Sequence, residues 1–254
     1  MVETTLESVP TSRPKGVRVW DAPTRIFHWL LVAAIAVAFL SSEDDSALSA
    51  WHQTAGWIAG LLIVFRLVWG FVGGEHARFA AFLHPGRIGA HVRSLFRGRV
   101  QPEVGHNPLG AAAIVALLAL VAATVITGIL LIRGGEDELH EAIAYGLLAL
   151  VAVHVVAVAV MSLMGRENLA RAMVSGSKPA ARHPGARDAR PAPALALPLA
   201  ALAVAAAAYG ATRIDPQAFR PHTGAEAGEH GEAAGPGGEA EQGEQGEQGE
   251  HDDG

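Results

Sequence analysis

Four long apolar runs, at roughly 24–42, 50–72, 108–132 and 141–164, constrain this chain more than any other feature. Each is long enough for a helix to cross the hydrocarbon of a bilayer, which takes about 20 residues. A chain in lipid must satisfy its backbone hydrogen bonds internally, and a helix does so within one segment. A fifth run, 192–211 (APALALPLAALAVAAAAYGA), has the length but is mostly Ala and contains Pro198. Ala enters a bilayer less willingly than Leu, Ile or Val, so this span is expected on length rather than on hydropathy. The expected fold class is all-α and integral to a membrane: a four-helix bundle, a fifth transmembrane helix and a disordered acidic tail.

Cysteine is absent, which excludes disulfides, thiolate metal sites and iron–sulfur ligation by this chain. Met1 leads a polar, Pro-containing segment rather than an apolar one, so no cleavable signal peptide is expected. The net charge of −6 conceals a strong asymmetry, because most of the acidic excess falls in the last thirty residues. Lys and Arg gather before the first run, between the second and third, and after the fourth. The loops 41–49 (SSEDDSALS) and 133–139 (RGGEDEL) are acidic instead. The positive-inside rule then places the N-terminus, the 73–106 loop and the segment after residue 164 in the cytoplasm.

Residues 1–20 read as a flexible cytoplasmic tail. Asp21 is placed to cap the first helix, with Pro23 in its first turn. The 73–106 loop carries Phe, Leu, Ile and Arg at spacings that suit either a basic amphipathic surface helix or a solvated loop. His106 is placed to cap the third span, with Asn107 and Pro108 supplying the start signal. A four-helix domain is expected over 21–176 and a Pro/Ala/Arg linker over 177–191. The span at 192–211 then leads into a Gly/Glu/Gln/His tail over 212–254, too polar to fold. His222, His230 and His251 in that tail suit weak divalent-cation binding or simple solvation.

Ionisable residues inside spans are costly and point to function. His28, His52, His140 and His154 lie in or at the spans and sort by depth. His52 and His140 sit near the acidic loops, while His28 and His154 sit toward the opposite side. His140 and His154 are fourteen residues apart, about 21 Å along a helix and within about 40° of one face. Two imidazoles facing each other at each of two levels suit two bis-histidine haems, with neutral ring nitrogens ligating iron. Gly56, Gly60 and Gly146 would let a flat macrocycle approach, and Gly56-x-x-x-Gly60 equally suits helix association. Arg66 follows His52 by fourteen residues on the same face, where a propionate of the haem at the His28 level would pair with it. The alternative for Arg66 is a side chain snorkelling to the surface. His76, His84, His91, His106 and His183 fall in loops and are given no ligand role.

Several stretches resemble the bacterial cytochrome b561 family, which includes the b-type cytochrome subunits of nickel–iron hydrogenases. They are VRVWDAPTRIFHWLL (17–31), WHQTAGWIAGLLIVFRLVWGFVG (51–73), GHNPLGA (105–111), the TG at 127–128, VHVVAV (153–158) and RENLARAMVSGSK (166–178). The resemblance covers roughly residues 15–180. It implies a four-helix bundle with two b-type haems, ligated at His28, His52, His140 and His154, and an exchangeable quinone. It also implies a multi-pass protein of the bacterial inner membrane with a redox partner, such as a c-type cytochrome or an oxidoreductase subunit, on the periplasmic side. No nucleic-acid partner is expected. Electron transfer between quinone and that partner is the leading expectation. A metal or proton transporter would want acidic partners within the spans, whose interiors have none. A non-redox anchor recruiting a partner through its acidic tail leaves the paired histidines unexplained.

Overall fold

The computed structural model describes residues 16–43, 45–82, 93 and 104–221. Among these, five helices are long and apolar enough to cross a membrane. They are α1 (Ala22–Leu40), α2 (His52–Val72), α4 (Pro108–Leu131), α5 (Asp137–Met164) and α7 (Ala196–Ile214), with short helices α3 (Phe79–Phe82) and α6 (Leu169–Ser175) between them. The chain is therefore an all-α, multi-pass membrane protein. Most of the 73–106 loop anticipated as an amphipathic helix, and the tail from residue 222 with its three histidines, lie outside the described residues.

Local signals set the helix starts. Asp21 Oδ1 accepts from Thr24 N at 2.9 Å and caps α1. Asn107 Oδ1 accepts from Gly110 N at 2.6 Å and caps α4, with Pro108 as its first residue. His106 is not the cap: its ring is packed between Trp20, at 4.4 Å, and Phe82, at 4.7 Å. α5 begins at Asp137, four residues before the expected run. Asp137 and Glu138 in its first turn suit the positive end of the helix dipole, and this places His140 within the helix.

α2 is the central helix, packing against α1, α4 and α7, while α5 packs on α4. Ala34, Ala59, Ile63, Val121 and Leu147 bring α1, α2, α4 and α5 together in one core. Without water to drive association, helices in lipid depend on close fit, and the small residues here permit it. The other faces are apolar and exposed, as at Val153, Val155, Val156 and Leu163, which suits contact with acyl chains.

α7 runs antiparallel to α2. Ala196 and Ala200 at its start pack with Trp69 near the end of α2, and Ala211 near its finish packs with Trp57 near the start of α2. The helix extends to Ile214, and the following residues fold back on the bundle instead of opening the tail at 212.

The basic end of the bundle is held by a clamp built from residues expected as tail and linker. Gly16–Arg18 pairs antiparallel with Ser177–Pro179, so residues 16–20 are not free and 177–191 is not a plain linker. Gly176, at φ 81°, closes α6 in the left-handed conformation that favours glycine. Asp21 Oδ2 accepts from Trp69 Nε1 at 3.1 Å and Gly74 N at 3.2 Å, joining the start of α1 to the end of α2. A Cβ at Gly74 would lie 2.5 Å from that oxygen. Lys178 Nζ and His183 Nε2 approach the buried Glu167 carboxylate at 3.6 and 3.0 Å. Arg187 makes two hydrogen bonds to Glu75, at 2.7 and 2.8 Å, holding the Glu75 carboxyl down at about 2.

Candidate functional site

His52 opens α2 and His140 lies in the first turn of α5, at the acidic end of the bundle. Their ring centroids are 6.2 Å apart and their planes lie at 79°. His52 Nδ1 is 2.8 Å from the carbonyl oxygen of Ala38 on α1. A carbonyl only accepts, so Nδ1 carries a proton and Nε2 is the nitrogen left to ligate.

His140 is set the same way. Its Nδ1 lies 3.0 Å from Thr127 Oγ1 on α4. That hydroxyl donates its own proton to the carbonyls of Ala123 and Thr124, both at 3.0 Å, leaving the oxygen to accept from the ring. A hydrogen bond at one ring nitrogen fixes the tautomer and aims the other, the arrangement typical of metal-ligating histidines. Gly128 completes the seat, since a Cβ there would meet His140 Cε1 at 3.3 Å.

Two nitrogens each about 2 Å from one ion would place the ring centres roughly 6 Å apart, as observed for this pair. Two imidazoles are too few ligands for a bare ion, and no group of three or more His, Asp or Glu stands together among the described residues. The donor set therefore fits an iron that brings its other four nitrogens in a macrocycle. One turn below His52, a Cβ added at Gly56 would meet nothing within 4 Å, and the same holds at Gly146. Gly60 differs: a Cβ there would come 3.1 Å from Val125, so this glycine serves helix contact.

His28 lies on α1 and His154 on α5. The His28 ring meets Trp29 edge-on at 4.9 Å, and its buried Nδ1 has no hydrogen-bond partner among the described residues. His154 is half-buried while Val153, Val155 and Val156 beside it are exposed, so the imidazole turns inward from a lipid-facing stretch. Of the four histidines, His52 and His140 stand ring against ring.

Arg66 is buried, at 3% exposure, and does not reach solvent. Its Nη1 donates to the Ala77 carbonyl at 3.1 Å and its guanidinium carbon lies 4.8 Å from the Phe79 ring centre. These contacts were not foreseen, and no carboxylate forms an ion pair with it among the described residues. Thr127, the Ala38 carbonyl and Asp21 were likewise missed as positioning groups. The Thr127–Gly128 pair was visible only as part of the family resemblance.

An all-α membrane bundle with facing imidazoles fits the class of membrane-embedded b-type cytochromes. The sequence model described as prokaryotic cytochrome b561 matches residues 19–176, well over half of the chain, and the chain belongs to that family. It is 25% identical over 211 residues to a protein of Bradyrhizobium diazoefficiens named "Probable Ni/Fe-hydrogenase B-type cytochrome subunit", an alignment covering 64% of this chain and 85% of the relative. A relative of the same name from Azotobacter chroococcum is 26% identical, with 63% and 88% covered. "Probable Ni/Fe-hydrogenase 1 B-type cytochrome subunit" of Escherichia coli is 28% identical over 140 residues, with 43% and 57% covered. No solved structure matches. Family membership brings with it a b-type haem and a role in electron transfer at a bacterial membrane.

Proposed function

We propose that this chain is a di-haem cytochrome that carries electrons across the inner membrane between the quinone pool and a redox protein on the periplasmic side. The observation that carries the reading is the His52–His140 pair, with centroids 6.2 Å apart and both Nδ1 atoms tied to acceptors. His52 and His140 would hold one haem through Nε2, and His28 and His154 the other. A bound b-type haem supplies a one-electron iron couple whose two axial positions are closed when both are histidine.

The chain's own part is to fix the rings, exclude water and set the electrostatic surroundings. Arg66, buried and in no ion pair with a carboxylate among the described residues, would pair with a propionate of the His28/His154 haem. The basic loops face the cytoplasm under the positive-inside rule, which puts His52 and His140 on the periplasmic side. The partner there would be a c-type cytochrome or an oxidoreductase subunit. The names of the relatives favour a subunit of a nickel–iron hydrogenase.

A pyridine haemochrome assay on purified protein should give two b-type haems per chain, with low-spin reduced-minus-oxidised bands. His154→Ala should lower that count to one. A colourless, folded preparation ends the reading, and a variant that keeps both haems refutes the pairing.

A further inference from the structure

We propose that α7 and the turn that follows it, Asp215–Arg220, form a positioning unit for the His52/His140 site. This inference rests on the haem assignment above, but it concerns residues beyond the 19–176 stretch that matches the family.

The turn is built into the bundle. Asp215 is 8% exposed, and its Oδ2 accepts from the buried Trp57 Nε1 at 2.8 Å. Its Oδ1 accepts from Gln217 N at 2.8 Å, and its carbonyl from Ala218 N at 3.1 Å, which coils the chain tightly. Ala218 is fully buried and packs with Trp57 of α2 and Ala211 of α7, with Ile129 of α4 against them. Thr54 Oγ1 donates to the Arg220 carbonyl at 3.0 Å, closing the far side of the turn.

The position of these contacts gives them meaning. Thr54 and Trp57 stand two and five residues after His52, within the first turns of α2. Ile129 follows Thr127 and Gly128, the residues that orient and seat His140. The turn therefore braces α2, which carries His52, and α4, whose Thr127 and Gly128 orient and seat His140. A buried Asp accepting an indole N–H and two backbone contacts is costly to place unless held in one geometry, and that geometry is transmitted to the starting turn of α2. Asp215 and Trp57 are positioning residues, since neither reaches the imidazoles.

The test compares Asp215→Ala, Asp215→Asn and Trp57→Phe in full-length holoprotein, reading the electron paramagnetic resonance signal and midpoint potential of each haem. His140→Ala identifies which signal belongs to the His52/His140 haem. Asp215→Ala and Trp57→Phe should shift that signal and potential, loosen retention of that haem by about tenfold, and leave the other haem unchanged. Asp215→Asn, which keeps an oxygen for the indole, should restore the native signal. Equal changes at both haems, or none at either, would overturn the proposal. Should Asp215→Ala fail to accumulate, Trp57→Phe carries the test, because it keeps an aromatic ring and removes only the donor. Hydrogen exchange of residues 50–57 and 127–132 separates the two levels of inference. If the wild type binds no haem, the functional reading fails alone, and unchanged exchange there in Trp57→Phe overturns the positioning unit as well.

Discussion

Thr127 donates its proton along its own helix and receives one from His140, so a single hydroxyl determines which ring nitrogen is bare. Thr127→Val keeps the shape and removes the acceptor. Retention of the haem at His52/His140 should weaken by about tenfold, read as haem loss during detergent titration, and Thr127→Ser should recover it. The histidines themselves were legible because each is an expensive residue in an apolar run, and helical rise converts their numbers into depths. Thr127 was not, because its role depends on α4 meeting α5. No spacing along the chain encodes that meeting. Arg66 was half legible: its burial could be anticipated from the run around it, but its carbonyl and aromatic partners come from the Ala77–Phe79 segment beyond the end of α2.

At the scale of elements, Asp21 links two helices through one carboxylate. It caps α1 through Oδ1 and holds Trp69 Nε1 and Gly74 N through Oδ2. Loss of a cap costs about 1 kcal/mol, and each buried donor left unpaired costs about 1–3 kcal/mol more. Asp21→Ala should therefore lower the thermal midpoint in detergent markedly, while Asp21→Asn should lower it less. The adjacent His106 is buried among Trp20 and Phe82, and that burial, with Arg66, His76 and Lys178 nearby, pulls its imidazole down to about 3. The unfolded chain then binds a proton at His106 that the folded chain does not, between the ordinary value of 6.5 and about 3. Stability tied to this residue is complete above about pH 6.5 and falls as the pH drops through that window. At pH 5 the loss is about 2 kcal/mol relative to pH 7.5. His106→Phe should flatten that part of the acid dependence, measured as thermal midpoint against pH. The Asp21 cap could be read from sequence because capping is local, whereas at α4 the cap fell on Asn107 and not on the expected His106. The clamp could not, because its strands have three residues each and lie some 160 positions apart.

Taken as a whole, the molecule has five helices among its described residues that are long and apolar enough to cross a bilayer, and if all five cross, the two ends of that stretch fall on opposite sides. A reporter enzyme fused after Gly254 should be active in the periplasm, and a cytoplasmic signal would mean that α7 does not cross. Hydropathy made α7 the weakest of the expected spans. Its composition makes sense only beside α2, where Ala196, Ala200 and Ala211 let two backbones come close. Reading the run as a span was thus possible from length alone, while its place against Trp57 and Trp69 required the partner helix. The orientation of the rings carries one more consequence, for biogenesis. His52 is aimed by a carbonyl of α1 and His140 by a hydroxyl of α4, so neither acquires its direction until neighbouring helices have docked. On the haem assignment proposed above, the apoprotein would assemble this corner before receiving a porphyrin, and cofactor loading there would be a late step in maturation.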